Sequence, residues 1–164
     1  MVDDLEFPAR AGEPLDHEAA RISAALVFTG GGMSLQVVSS DDLKQCCRLS
    51  DGRLVDIEID DSGQEITVTA VNGPKLGSIE LQGTGSGDYY LKRMYLDQDG
   101  GEFKRCGIGR QALKFHHQSF GCLFTAAPND GQQREDGSHL TGDALRFIQK
   151  MRDEGLVLQS DPYL

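Results

Sequence analysis

The chain has 164 residues, enough for one domain with a sizeable core but too few for two domains of ordinary size. Its formal net charge of -10 at pH 7 argues against broad binding to nucleic acid or an anionic membrane, because both reward a basic surface. No run of about 18 apolar residues is present, and the acidic start MVDDLEFPAR does not resemble a signal peptide. We therefore expect a cytoplasmic protein.

Residues 1–32 differ from the rest of the chain. They begin acidic and proline-containing, continue as LDHEAARISAALVF and end in three consecutive glycines. Asp16 can cap a short helix here, but a strand or a loose arm fits the pattern as well. We interpret this segment as an N-terminal extension, joined by residues 30–32 to a domain that spans residues 33–164.

The domain is predicted to begin with a strand and a helix. MSLQVVSS alternates like a strand, and Ser40 can cap DDLKQCCRL as a helix with acidic residues in its first turn. Three segments rich in β-branched residues follow: RLVDIEID, EITVTAVNG and LGSIELQG. Turn signals at residues 61–63 and 72–74 separate them, so we expect an antiparallel meander.

The second half of the domain changes character. YYLKRMYLD is predicted to be a strand, RQALKFHHQSF a helix and GCLFTAAP a short strand. LTGDALRFIQKMRDEG has helical periodicity with Gly155 as its stop, and VLQSDPYL can close the sheet as a last strand. The order predicts an α+β fold, with a mixed, mostly antiparallel central sheet flanked by helices.

The chain has four cysteines, at positions Cys46, Cys47, Cys106 and Cys122. Two of them are adjacent and the spacing matches no zinc pattern, so we expect reduced thiols. His116 and His117 lie between the last two, but neighbouring residues on a helix point about 100° apart. We therefore expect no metal site.

The sequence Gly107-Ile108-Gly109 stands where the predicted helix begins. Glycine in a helix costs about 1 kcal/mol relative to alanine, so two of them suggest that something approaches the backbone closely. The first helical N–H groups lack partners and attract anions, and basic side chains surround them: Lys104, Arg105, Arg110 and Lys114. The motif is neither a P-loop nor a dinucleotide fingerprint, which leaves the pyrophosphate of another carrier.

Four segments, YLKRMYLD, FKRCGIGRQAL, LFTAAPN and GDALRF, resemble the core of the GNAT superfamily of N-acetyltransferases. The signature of that family is Arg or Gln, two residues, Gly, one residue, Gly or Ala. The resemblance is clearest over residues 76–156 and looser over the strand and helix of residues 33–49.

The resemblance implies acetyl-CoA as cosubstrate and assigns roles to individual residues. Its pyrophosphate would be bound by the loop and helix start: Lys104, Arg105, Cys106, Gly107, Ile108, Gly109 and Arg110. Its pantetheine arm would be held by backbone groups near Met94, Tyr95 and Leu96, and faced by Asn129.

Three positions depart from the family pattern. Lys104 stands in place of the first Arg or Gln, and Ile148 stands where the last helix often carries an acidic Tyr, four residues after Ala144. Tyr90 occupies the strand position where some members have a Glu. At Tyr90 and Ile148 the chain therefore lacks the side chains that often serve as general base and general acid in the family.

Direct attack on the thioester needs a neutral acceptor amine. A free alkylammonium has a pKa of about 10, so a base or a water chain must take its proton. Glu80 is the nearest strand carboxylate; a solvated strand residue is the alternative interpretation. Ser138, His139 and Tyr163 are candidates for the proton donor, and His139 fits equally a surface position at a helix start. Cys106 suits either an acyl-cysteine or a small loop filler.

Three functional interpretations stay open. The first is an N-acetyltransferase that acts on a small cationic or peptide amine by direct attack in a ternary complex. The second is a CoA-binding or protein-interaction module on the same fold that has lost transfer, as Ile148 and Tyr90 suggest. The third takes the Gly-Ile-Gly as plain structure. The sequence does not decide between a monomer and a homodimer.

Overall fold

The computed structural model describes residues 35–96, 100–128 and 143–159. Within them the elements follow in the order β1 (Gln36–Ser40), β2 (Lys44–Arg48), β3 (Leu54–Ile59), β4 (Glu65–Ala70), β5 (Lys75–Gly83), β6 (Tyr89–Tyr95), α1 (Ile108–Phe120), β7 (Phe124–Ala126) and α2 (Asp143–Asp153). The strands form one sheet in chain order. All neighbours are antiparallel except β6 and β7, which are parallel. This is the predicted α+β class, with a mostly antiparallel sheet.

The meander of β3, β4 and β5 confirms the strands predicted from β-branched residues. Alternate side chains of β3, from Val55 through Ile57 to Ile59, are buried, while Asp56 and Glu58 between them are more exposed. This period of two places one apolar face of each strand on the core. The turn after β4 contains Asn72 in the left-handed region, at φ 60°, a conformation that asparagine tolerates.

The helix predicted over DDLKQCCRL is wrong, because this segment forms a turn and strand β2. The Asp41 side chain accepts a hydrogen bond from the Lys44 N–H at 2.8 Å, and the Asp41 N–H donates to the Lys44 carbonyl at 2.9 Å. Aspartate supports such turns as readily as helix starts. Gln45 and Cys47 are buried, whereas Lys44, Cys46 and Arg48 beside them are less buried, which fits a strand. The strand-to-helix start that the resemblance implied is absent from residues 35–49.

The unit from β6 to β7 confirms the predicted strand, helix and short strand. Helix α1 ends at Gly121, whose N–H donates to the His117 carbonyl at 2.8 Å with φ 65°, a common glycine-based helix end. The predicted last strand is reduced to one parallel bridge, between Val157 and Phe124, in the described residues. Residues 160–164 lie outside them.

One core joins the sheet to the helices. Fully buried side chains from the meander, such as Ile57 and Ile66, belong to the same cluster as Leu113 of α1 and Met151 of α2. Such shared burial makes the two halves depend on each other for stability.

Two further expectations concern the chain as a whole. The predicted N-terminal extension, with the helix that Asp16 could cap, lies outside the described residues. In the parts of the chain that the structure describes, no helix has the length and apolar character needed to cross a membrane.

Candidate functional site

The start of α1 has no side-chain cap. Gly107 is the N-cap residue, with φ 81° and ψ 4°, and no side chain bonds the helix start there. The first turn contains no acidic residue. The Gln111 N–H reaches the Gly107 carbonyl at 3.0 Å, so the N–H groups of the preceding first-turn residues have no carbonyl partner within the helix. These groups, together with the helix dipole, favour an anion.

The two glycines have separate structural reasons. Gly107 adopts a left-handed conformation that costs other residues energy. At Gly109 an added Cβ would lie 3.3 Å from Cδ1 of Leu96 and 3.4 Å from Cζ of Phe147. The end of β6 and helix α2 therefore close on the first turn of α1, and Ile108 beside it is buried in the core. Close packing alone accounts for Gly109.

The basic side chains at this helix start have acidic neighbours on α2 and just after it. Nη2 of Arg105 lies 3.6 Å from the Asp143 carboxylate, and both side chains are largely exposed, at 80% and 76%. Nε of Arg110 donates to Glu154 at 2.6 Å. An anion at this site would have to compete with both carboxylates.

Residues 100–107 form an irregular loop before α1. The Lys104 N–H donates to the Gly101 carbonyl at 3.1 Å. The Cys106 thiol, which is partly buried, donates to the Lys104 carbonyl at 3.5 Å. Phe103 packs against the edge of the core. The loop therefore holds the predicted residues Lys104, Arg105 and Cys106 next to the helix start.

The parallel ladder between β6 and β7 is short. It joins Tyr89 to Phe124, Tyr90 to Thr125 and Leu91 to Ala126, and it ends there. On its other side β6 continues to pair with β5 as far as Tyr95. Residues 92–95 of β6 thus extend beyond the ladder with β7.

Gly77 contacts the end of β6, and Arg152 contacts the end of β7. A Cβ at Gly77, whose φ is 148°, would lie 1.7 Å from the Tyr95 carbonyl oxygen, so only glycine allows that approach. Arg152 is buried, and its Nη2 donates to the carbonyls of Ala126 and Ala127 at 3.4 and 3.2 Å. Successive carbonyls of a regular strand point in opposite directions, so β7 leaves strand geometry at this point.

The residues predicted to hold the pantetheine arm lie at the end of β6, beyond its ladder with β7. Met94 is partly buried against the core, Tyr95 is 55% exposed, and the side chain of Leu96 packs near Gly109. The structure therefore brings Leu96 next to Gly109, with Met94 and Tyr95 directly before it on β6, whereas Asn129 lies outside the described residues.

Of the predicted catalytic residues, the structure describes Glu80 and Tyr90. Glu80 lies opposite Arg93 on β6, with its carboxylate 3.5 Å from Nη1, on the strand face that also carries Tyr95. Tyr90 lies further back on β6, opposite Gln82. The candidate donors Ser138, His139 and Tyr163 lie outside the described residues.

Ile148, at the position where a proton-donating Tyr was expected by resemblance, is buried in the core. Only 3% of its surface is exposed. A side chain at this position of α2 therefore contributes to packing.

A buried polar cluster around His116 was missed by the sequence analysis, which considered this residue only as a metal ligand. Its Nε2 lies 2.8 Å from the Gly63 carbonyl and its Nδ1 3.4 Å from the Cys122 sulfur. Its ring stacks on Phe120, with centroids 4.7 Å apart. Burial lowers the pKa of His116 below its ordinary value of 6.5, although the bond to Gly63 opposes this. The available sequence signal was that His116 lies four residues after Ala112 and three after Leu113, on the same face of the helix.

Comparison with known proteins adds no assignment for this site. No protein-family model and no curated protein matches the sequence, and no solved structure matches the fold. Within residues 35–96, 100–128 and 143–159, no group of three or more His, Cys, Asp or Glu side chains could hold a metal ion.

Proposed function

We propose that the chain is an N-acetyltransferase with a GNAT-like fold in residues 33–164. It binds acetyl-CoA where β6, the loop of residues 100–107 and α1 meet. The observation that carries the proposal is the short β6–β7 ladder, which stops at Leu91 and Ala126 and leaves residues 92–95 outside it, while the next residue, Leu96, packs against Gly109 at an uncapped helix start. Where two parallel strands stop pairing next to a helix N-terminus, a ligand can lay a polar chain along the strand edge and place its phosphates at the helix start.

The pyrophosphate would bind the N–H groups of the first turn of α1. Gly107 leaves the backbone at the helix start without a side chain, and no acidic residue lies in the first turn. Arg105 and Arg110 would turn from Asp143 and Glu154 to the phosphates. Surface ion pairs contribute at most about 1 kcal/mol, so this exchange costs little.

The pantetheine arm would lie along residues 92–95 of β6. Its amide groups can bond to a strand edge in the way an added strand does. The thioester carbonyl would then face a backbone N–H near Leu96, which stabilises the oxyanion as the amine attacks. The nitrogen forms a bond to the carbonyl carbon and gives up one proton to the base or to water, the carbon–sulfur bond breaks, and the departing CoA thiolate takes up one proton, so that the products are the amide and CoA.

The acceptor would be a small cationic amine or a peptide amine, and the net charge of -10 attracts it. Glu80 is our candidate for the base, because it lies on the same strand face as Tyr95. His139 is a candidate for the proton donor and Tyr90 is a further catalytic candidate, both from the sequence. A water chain is the alternative base where no side chain serves.

A non-catalytic CoA-binding or protein-interaction module is the second candidate function. It is favoured by the burial of Ile148, which leaves the expected donor position inside the core. It is also favoured by the pairing of Glu80 with Arg93. Such a module would use the same ligand site without turnover.

Turnover separates the two candidates. The protein is incubated with acetyl-CoA and a panel of polyamines, amino sugars, amino acids and peptides, and products are followed by mass spectrometry because thiol reagents would also label the cysteines. We expect at least one acetylated acceptor. Binding of acetyl-CoA without any product across the panel would favour the module.

The variant Glu80→Gln tests the base. If Glu80 is the base, the rate should fall about 100-fold, the lower end of general-base effects. Glu65→Gln is the matched control, because Glu65 lies opposite Glu80 on the neighbouring strand. An equal rate in both variants would leave water as the relay.

A further inference from the structure

Arg53 connects the loop of residues 100–107 to a distant part of the chain. It stands between β2 and β3, directly before Leu54. Its guanidinium carbon lies 4.0 Å from the centre of the Phe103 ring, and its Nη2 donates to the Glu102 carbonyl at 3.1 Å. Its Nη1 is also 3.9 Å from the Glu102 carboxylate. One side chain thus contacts two successive loop residues through an aromatic face, a backbone carbonyl and a charge.

The guanidinium is held in place from its own side by Asp51. Nε of Arg53 donates to the Asp51 carboxylate at 2.8 Å, and Nη2 lies 2.6 Å from the same oxygen. The Arg53 N–H donates to the other oxygen at 3.0 Å. These hydrogen bonds hold the pKa of Asp51 below its ordinary value of 3.8. A guanidinium fixed in this way loses less freedom when it stacks on a ring.

The loop needs such an anchor because of its backbone. Four of its residues have positive φ: Gly100, Gly101, Arg105 and Gly107. Glycine-rich segments lose much conformational freedom on ordering, so contacts from outside have to fix them. Phe103 supplies an apolar anchor, and Arg53 covers the ring and binds the carbonyl before it.

We propose that Arg53 is a positioning residue for the loop that precedes α1. By fixing Glu102 and Phe103 it sets the path of the chain through Cys106 to Gly107, and so the direction of the N–H groups at the helix start. That Arg53 orders the loop follows from its contacts. That it thereby strengthens phosphate binding rests on the proposed function.

The test compares Arg53→Met with wild type in two measurements. Methionine keeps an unbranched stem but removes the charge, the plane and the donors. Lys75→Met is the matched control, because Lys75 also forms an exposed ion pair, but with Glu65 on β4, at 3.3 Å. Hydrogen exchange of residues 100–107 reports loop order without any ligand, and calorimetry with acetyl-CoA reports binding.

In Arg53→Met we expect exchange of residues 100–107 to accelerate about fivefold to tenfold, and acetyl-CoA to bind more weakly by a similar factor. The control should leave both unchanged, and the thermal midpoints should stay close. Arg53→Lys should recover part of each loss, because an ammonium keeps the charge but not the planar stack.

Unchanged exchange in Arg53→Met would overturn the positioning role. Faster exchange with wild-type affinity would overturn its link to the ligand. Should wild type itself not bind acetyl-CoA, the proposed function fails, and the exchange measurement still decides whether Arg53 orders the loop.

Discussion

The strands β1 to β5 and the segment from β6 to α2 share one core but are held together differently. From β1 to β5 each strand pairs antiparallel with the next, and ion pairs such as Lys44 with Asp56 join neighbouring strands. In the second region β6 and β7 pair in parallel over three residue pairs, and further contacts join segments that are far apart along the chain. Arg110 pairs with Glu154, and Leu96 and Phe147 pack at Gly109. The antiparallel strands β1 to β5 supply a rigid scaffold. The segment from β6 to α2 supplies the short β6–β7 ladder and the uncapped start of α1, where we propose the ligand site.

The largest expected effect tests whether the two regions fold as one unit. Ile57→Ala in β3 and Leu113→Ala in α1 each remove a fully buried side chain from the shared cluster. Each should lower the free energy of unfolding by about 2–5 kcal/mol. Urea unfolding followed by far-UV and near-UV signals should show one transition for both variants.

Two separate transitions in Leu113→Ala, with the meander unfolding as in wild type, would contradict a common core. Lys75→Met serves again as a surface control, because exposed ion pairs change stability by at most about 1 kcal/mol.

Gly77 on β5 allows the end of β6 to lie close to it, and so helps to set the geometry of the candidate site. In Gly77→Ala the new Cβ would meet the Tyr95 carbonyl, so the end of β6 must move. Backbone strain alone should cost about 1–3 kcal/mol, and binding of acetyl-CoA should weaken because residues 92–95 are displaced. Gly83→Ala, also on β5 but with open space around it, is the control. Equal affinities in the two variants would separate β6 from the ligand.

The pH dependence of stability tests the contact between α1 and the turn before β4. The pKa of His116 is lowered by burial in the folded chain, so below its ordinary value of 6.5 the unfolded chain takes up a proton that the folded chain does not. The free energy of unfolding should therefore fall as pH drops from about 6.5. His116→Gln should flatten this decline, as measured by urea titrations between about pH 8 and pH 5.

Carboxylates act in a different pH window. Burial raises the pKa of Asp60, but hydrogen bonds from Ser62 and backbone N–H groups outweigh it and leave that pKa below 3.8. The stability due to Asp60 is thus present above 3.8 and lost only as pH falls further. An unchanged decline near pH 6.5 in His116→Gln would assign that decline to another group.

The smallest expected effect concerns the charge on the helix start. Glu154→Gln removes the carboxylate that pairs with Arg110 at 2.6 Å. Acetyl-CoA should bind about twofold to fivefold more tightly, because Arg110 no longer has to leave an ion pair. The gain should shrink in high salt. Glu65→Gln is the control, and weaker binding in Glu154→Gln would mean that the pair positions Arg110 for the ligand.

Most elements of the fold could be predicted because their patterns were unambiguous. The alternation Val55, Ile57, Ile59 fits only a half-buried strand, and Gly121 and Gly155 mark helix ends. The failure at residues 41–49 has a physical cause. Aspartates after Ser40 support a helix start and a turn equally, and only pairing with β3 decides for the strand.

The position of the helix start was predictable from the sequence, but the contacts around it were not. The motif around Gly107 marked the helix start, and the structure begins α1 at Ile108. The packing of Phe147 on Gly109, the stacking of Arg53 on Phe103 and the burial of His116 join residues far apart in sequence. No local pattern encodes such contacts, since they depend on how the chain closes.

Calorimetry with acetyl-CoA and with acetyl-pantetheine, which lacks the pyrophosphate, tests the central claim most directly. We predict that wild type binds acetyl-CoA with a dissociation constant of about tens of micromolar or tighter, within the usual range for enzyme substrates. Acetyl-pantetheine should bind far more weakly, and Gly109→Glu, if folded as judged by urea unfolding, should not bind acetyl-CoA. Equal affinity for the two ligands, or no binding of acetyl-CoA by wild type, would contradict a pyrophosphate site at the start of α1.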